Sequence, residues 1–250
     1  MVALGKILFR FRNGLFPLVI VIAVMFGTPH HLADDPDLDS LMDAFGVLVS
    51  VLGLAVRALT IGLEYIVRGG RNHQVYADSL VTGGIYAHTR NPMYLGNSLI
   101  VLGIAIILHS PVIYAICLPL AAFAYAAIIA AEEQYLRHKF GSEFEEYCRR
   151  VPRLIPRLAG LTQMLGDARF NWRRLIVKEY GTIFATLLAV FLATFWDDYQ
   201  ILGSSALPST EVVVLFVVPL FILYLLAWVL KKTRILSADP PASPDNKHVS

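Results

Sequence analysis

From Val212 to Leu230 the chain reads VVVLFVVPLFILYLLAWVL, a run without a charged side chain that is long enough to cross a bilayer as a helix. A water-soluble domain has no surface on which to place such a segment. Further apolar runs occupy Leu15 to about Ala33, Leu41 to Val67, Pro92 to Leu108, Val112 to Ala131 and Glu179 to Trp196. Because lipid offers no partners to backbone N–H and C=O groups, each run must satisfy them internally as a helix. The expected fold class is therefore all-α: a multi-pass transmembrane helix bundle of about six spans. Composition agrees, since 56% of the 250 residues are hydrophobic and 16% charged. The first span is the least regular. Its strongly apolar part ends near Phe26, short of the ~20 residues a straight crossing needs, which predicts a tilt or use of the polar flank.

Charge sets the orientation. Lys6, Arg10 and Arg12 precede the first run, a basic segment spans Glu132 to Lys178, and Lys231, Lys232 and Arg234 close the last run, whereas the alternate connections are acidic or very short. Both termini are therefore expected in the cytoplasm. The N-terminal run is followed by His30, His31 and a row of aspartates rather than a small-residue cleavage site, so it is expected to stay as an anchor. His109-Ser110-Pro111 is too short for anything but a hairpin between spans three and four. The organisation expected is two N-terminal spans over residues 1–67, a core of motif loop, hairpin and cytoplasmic helices over 68–178, and two further spans over 179–236. A disordered tail over 237–250 completes it. Cys117 lies in an apolar run and Cys148 in a basic loop, so no disulfide is expected.

The stretch most suggestive of chemistry is TGGIYAHTRNPMYLG, Thr82 to Gly96. Proline at the first helical position preceded by asparagine predicts that Asn91 caps, and Pro92 starts, the third helix. The free N–H groups of that helix end, with Arg90 beside them and Tyr86 and Tyr94 as aromatic walls, suit a small anionic or zwitterionic ligand. The hairpin brings Glu132 and Glu133, at the far end of the fourth span, next to these residues. A carboxylate pair facing a cationic helix end suits a ligand with separated charges. The same residues also fit a plain helix start and a solvated turn in which a glutamate pairs with Arg137 at helical spacing. Downstream, Ser142 and Glu145 read as a capping box, and Leu136, Phe140, Phe144 and Tyr147 form an apolar stripe expected to lie on the bundle or the membrane surface.

Two charges interrupt the second span. Arg57 and Glu64 lie nearly on one helix face, with Arg57 about 15 Å above the cytoplasmic end. Intramembrane charges usually face a cavity or each other, so acceptor binding and an intrahelical ion pair are both open. His73 and His88, in the motif loop, are candidate bases or solvated loop histidines.

The motif, followed after the hairpin by EEQYLRHKFGSEFEEYCRRVPRLIP, resembles the integral-membrane methyltransferases that include isoprenylcysteine carboxyl methyltransferase and the phospholipid N-methyltransferases. The similarity runs from Asp78 to about Pro156, roughly a third of the chain. It implies S-adenosyl-L-methionine as cofactor on the cytoplasmic side and a lipid or lipid-anchored acceptor entering from the membrane. Cofactor contacts would fall on Leu80, Val81, Tyr86, Arg90, Asn91, Pro92, Met93, Tyr94, Glu132 and Glu133. Arg57 and Glu64 are acceptor-contact candidates on the separate ground of their intramembrane charge, and neither a metal nor a nucleic-acid partner is expected. Where the eukaryotic isoprenylcysteine enzymes place a substrate-binding arginine, this chain has Ile128, and Asn91 stands for the histidine of the R-H-P motif. With no G-x-G-x-x-G after a strand, a soluble Rossmann-type enzyme is ruled out. Two alternatives remain at this level: a nicotinamide-dependent sterol-type membrane reductase, and a non-enzymatic multi-span membrane protein.

Overall fold

A computed structural model describes residues 1–11, 36–63, 77, 79–202 and 210–236. Those residues are helical apart from turns and short extended stretches, with no strand among them. In chain order the helices are α1 (2–11), α2 (Pro36–Leu63), α3 (Pro92–Ile107), α4 (Leu118–Phe140), α5 (Ser142–Arg150), α6 (Leu161–Asp167), α7 (Trp172–Leu202) and α8 (Thr210–Lys232). A short 3₁₀ turn, Gly84–Ala87, precedes α3, and a π-helical turn, Ile113–Cys117, leads into α4. Among the described residues four helices are long and apolar enough to cross a membrane: Asp37–Leu63, Ile113–Phe140, Trp172–Trp196 and Glu211–Lys232. The expected third span, Pro92–Ile107, is apolar but shorter than these. The expected first span, Asp34 and Asp35 of the acidic connection after it, Glu64, His73 and the tail fall outside the described residues, whereas Pro36, Asp37 and Asp39 of that connection already belong to α2. The chain is thus an all-α, multi-pass membrane bundle, with four apolar spans among the described residues where six were expected over the whole chain.

Helix α3 packs chiefly against α2, and glycine sets how closely. Gly46 and Gly53 on α2 oppose Gly103 and Gly96 on α3 in antiparallel order. A Cβ added at Gly53 would stand 2.6 Å from the Gly96 carbonyl oxygen, and one at Gly103 2.4 Å from that of Gly46. No side chain fits between the two backbones. In lipid, where burying apolar surface gives little net drive to association, such close approach is what makes helix packing favourable. A short helix therefore gains a long partner along its full length.

Helix α3 is joined to the π turn that leads into α4 through the turn at residues 108–110, and α3 contacts α4. His109 takes a positive φ of 42°, and its Nε2 lies 3.0 Å from Asp43 Oδ1, tying the turn to α2. The π turn has a local cause. Pro119 has no N–H to give to a carbonyl one turn back, and the Leu118 N–H bonds to the Ile113 carbonyl five residues away. At the other end, α4 runs on to Phe140 and the chain restarts as α5 after Gly141, whose φ is 52°. The expected capping box does not form: Gly141 occupies the cap position, Ser142 is already inside the helix, and no side chain caps α5. The apolar stripe does assemble. Phe144, Tyr147 and Val151 form a buried cluster with Leu136, Phe140, Cys148 and Leu80 of the motif loop against it.

Helix α7 starts seven residues before the expected Glu179, at Trp172, and packs on α2, α3 and α8. Helix α8 touches little but α7 and exposes Leu215, Ile222 and Leu223, as a lipid-facing helix does. We expect Gly103→Val to destabilise the protein by roughly 1–3 kcal/mol through overpacking against α2, lowering its thermal midpoint in detergent. Gly181→Ala, where an added Cβ meets nothing within 4 Å, should leave the midpoint unchanged or raise it slightly.

Candidate functional site at the motif end of the bundle

The loop before α3 is held by the segment after α5. The Tyr147 hydroxyl donates to the Tyr86 carbonyl at 2.8 Å. His88 and Arg157 exchange two bonds, the Arg157 N–H to the His88 carbonyl at 2.9 Å and His88 Nδ1 to the Arg157 carbonyl at 2.7 Å, which makes Nδ1 the protonated ring nitrogen. The Thr89 hydroxyl donates to the Leu154 carbonyl at 2.9 Å, the Arg90 N–H to the Pro152 carbonyl at 2.9 Å, and the Asn91 side-chain amide to the Arg153 carbonyl at 2.9 Å. His88, Thr89 and Asn91 are buried. The motif is thus one side of a clasp whose other side runs from Tyr147 to Arg157 and includes VPRLIP.

Asn91 accordingly does not cap α3 with its side chain. It sits at the cap position, its carbonyl accepts the Leu95 N–H at 3.0 Å, and Pro92 occupies the first turn as expected, but the amide is committed to Arg153. His88 is a buried tether rather than an exposed base. Burial raises the pKa of Tyr147, with Arg90 pulling more weakly the other way, so its hydroxyl stays a donor across the neutral range.

The clasp fixes a charged cluster. The Tyr94 hydroxyl donates to Glu132 Oε1 at 2.6 Å, joining the first turn of α3 to α4. Beside it Glu133 is bracketed by two guanidinium groups, Arg90 Nη1 at 3.2 Å and Arg153 Nη2 at 3.1 Å. Arg90 also contacts Cys148 Sγ. Arg90 Nε is buried without a hydrogen-bond partner, and Glu133 Oε1 has the Arg90 guanidinium beside it as an ion pair but no aligned hydrogen bond. An unsatisfied buried polar atom is costly, so the cluster retains donor and acceptor capacity for a ligand. Arg137 pairs with neither glutamate here; its guanidinium lies 5.9 Å from the Phe144 ring centroid.

Arg57 of the second span finds its partners on other helices. Arg57 donates to Glu179 of α7 through Nε at 3.0 Å and through Nη2 at 2.8 and 3.0 Å, to Thr182 Oγ1 at 3.4 Å, and to Asn97 of α3. Both charged residues are almost fully buried, at 3% and 1% exposure. An ion pair placed that deep persists only because its polar atoms are satisfied all round.

Comparison with known proteins fits this arrangement. The phospholipid methyltransferase family profile matches residues 43–143, which contain α3, α4 and both glutamates. The cobalt-zinc-cadmium resistance protein CzcN of Cupriavidus metallidurans is 31% identical over 63% of this chain and 69% of its own length. The nickel-cobalt-cadmium resistance protein NccN of Alcaligenes xylosoxydans xylosoxydans is 30% identical over 62% of this chain and 70% of its own. Protein-S-isoprenylcysteine O-methyltransferase B of Arabidopsis thaliana is 30% identical over 45% and 58%. The chain belongs to the family of CzcN and NccN and is a membrane-embedded homologue of the phospholipid and isoprenylcysteine methyltransferases. No solved structure matches it.

Of the residues expected to line a family site, Tyr94, Glu132, Glu133, Arg90 and Asn91 converge at the motif end, with Pro92 and Met93 in the same first turn of α3. Tyr86 enters through its carbonyl, and Leu80 packs on the α5 cluster with Val81 next to it. Arg57 belongs to a separate buried cluster whose carboxylate comes from Glu179. Four participants carried no local signal: Arg153, Asn97, Glu179 and Thr182. Among the described residues no group of three or more His, Cys, Asp or Glu is placed to hold a metal ion, and both cysteines are free.

Removing one member of the Arg57–Glu179 pair leaves the other charge buried, so Arg57→Met is expected to cost roughly 3–5 kcal/mol. Combining it with Glu179→Leu should recover most of that loss in a thermal or denaturant melt. A double variant no more stable than Arg57→Met would show that the two do not act as a pair.

Proposed function

We propose that the protein is an S-adenosyl-L-methionine-dependent methyltransferase acting on a lipid or lipid-anchored acceptor. The carrying observation is the charge layout at the motif end: Tyr94 bonded to Glu132, with Glu133 between Arg90 and Arg153. A methyl donor with an amino-acid tail presents a carboxylate and an ammonium close together. Arg90 and Arg153 match the first, and Glu132 and Glu133 match the second. The unpartnered Arg90 Nε supports the fit, because a ligand carboxylate completes a bond that the protein leaves open. When bound, the donor supplies an electrophilic methyl on a sulfonium, which passes to the acceptor nucleophile and leaves a thioether.

The chain's residues contribute position and dryness. The clasp fixes Arg90, the Glu132 carboxylate orients the Tyr94 phenol, and the buried residues of the motif loop, Ile85, His88, Thr89 and Asn91, keep water from the reacting centre. Arg57, neutralised by Glu179, holds α2, α3 and α7 together on the acceptor side. In this reading the chain makes six spans, with both termini and the site in the cytoplasm.

Titration of the purified full chain with S-adenosyl-L-methionine tests the proposal. Binding is expected, and Arg90→Ala should weaken it roughly tenfold or more, the loss of a charge-assisted bond. A folded wild-type sample that fails to bind at millimolar donor overturns the reading. Incubating native membranes with labelled donor, then separating protein, phospholipid and small-molecule fractions, identifies the acceptor class.

A further inference from the structure

Helix α1 lies outside the stretch the family profile matches, yet it reaches the site. Gly5 allows this. A Cβ there would stand 2.0 Å from the Ala127 carbonyl oxygen and 3.0 Å from the Ala131 side chain, so α1 crosses α4 in backbone contact. One turn on, on the same face, Phe9 is 4% exposed and joins Tyr94, Tyr125, Ile128 and Ile129 in one buried cluster, with Leu8 and Leu154 against it. The Tyr94 and Tyr125 rings are tilted at a centroid separation of 5.8 Å. Lys6, Ile7, Arg10 and Phe11 turn outward and are exposed.

Aromatic residues of α1, α3 and α4 therefore share one buried cluster, whose Tyr94 also bonds Glu132. Through Tyr94 that apolar cluster adjoins the charged one. Resting on the donor assignment above, we propose that Phe9 is a donor-binding residue that completes, with Tyr94 and Tyr125, an aromatic enclosure for the sulfonium. The tail of the donor is drawn toward Arg90, Glu133 and Arg153, which leaves its positive sulfur at this boundary. A cation there is poorly hydrated and needs compensation. The Glu132 carboxylate and the ring faces supply it, and cation–π attraction strengthens on desolvation. The uncharged thioether left after transfer gains nothing from the rings, so the enclosure favours donor over product.

That difference is the test. Calorimetric titrations of the full chain with S-adenosylmethionine and with its thioether product, S-adenosylhomocysteine, are compared for wild type and Phe9→Leu, which keeps apolar bulk and removes the ring. The expected result is a loss of about 5- to 30-fold for the sulfonium ligand, with the thioether within twofold of wild type. Gly5→Val, which displaces α1 without touching the ring, should give the same selective loss. Equal losses for both ligands mark Phe9 as packing only and overturn the proposal, as does unchanged sulfonium binding in either variant. A wild type that binds neither ligand removes the donor assignment itself, a result distinct from failure of the Phe9 variants alone.

Discussion

A peptide group at the edge of a bilayer has few waters to turn to, and the loop before α3 carries a row of such groups into a buried position. Its partners must come from protein. They come from residues 147–157, whose backbone and side chains meet Tyr86, His88, Thr89, Arg90 and Asn91. Everything distinctive at the motif end follows from that reciprocal satisfaction. Arg153 reaches Glu133 because its carbonyl is pinned to Asn91, and Arg90 is aimed because its own N–H is taken by Pro152.

The same requirement shapes the middle of the bundle by different means. A guanidinium buried between α2 and α3 has no water to solvate it, so α7 brings Glu179 and Thr182, and α3 brings Asn97. The C-terminal helices are thereby bound to the part of the chain that the family profile matches. Glycine pairs let α2 and α3 approach closely enough for Arg57 to reach across, and the Arg57 side chain itself passes where a Cβ on Gly96 would stand.

Much was legible in the chain because membrane folding leaves few options. Apolar runs had to be helices, a three-residue turn had to be a hairpin, and a hairpin had to bring Tyr94 and the glutamates together. The extent of α7, the capping of α3 and α5, and the partner of Arg57 were not legible. Asn91 and Ser142 have the residue type and position of caps, yet the Asn91 amide bonds Arg153, and Ser142 falls inside α5 after Gly141 takes the cap position. Spacing predicts Glu64 on the helix face of Arg57, and among the described residues the carboxylate that meets Arg57 comes from residue 179.

The sequence by itself determined the all-helical membrane class, the α3–α4 hairpin and the residue types that gather at its open end, since these depend on hydropathy, local punctuation and short-range spacing. The tertiary structure alone decided which charges pair, that VPRLIP clasps the motif, and that α1 delivers Phe9 to Tyr94 and Tyr125. Those are contacts between residues far apart in the chain. Each is chosen by which buried group still needs a partner once the helices have packed, a condition that no local pattern records.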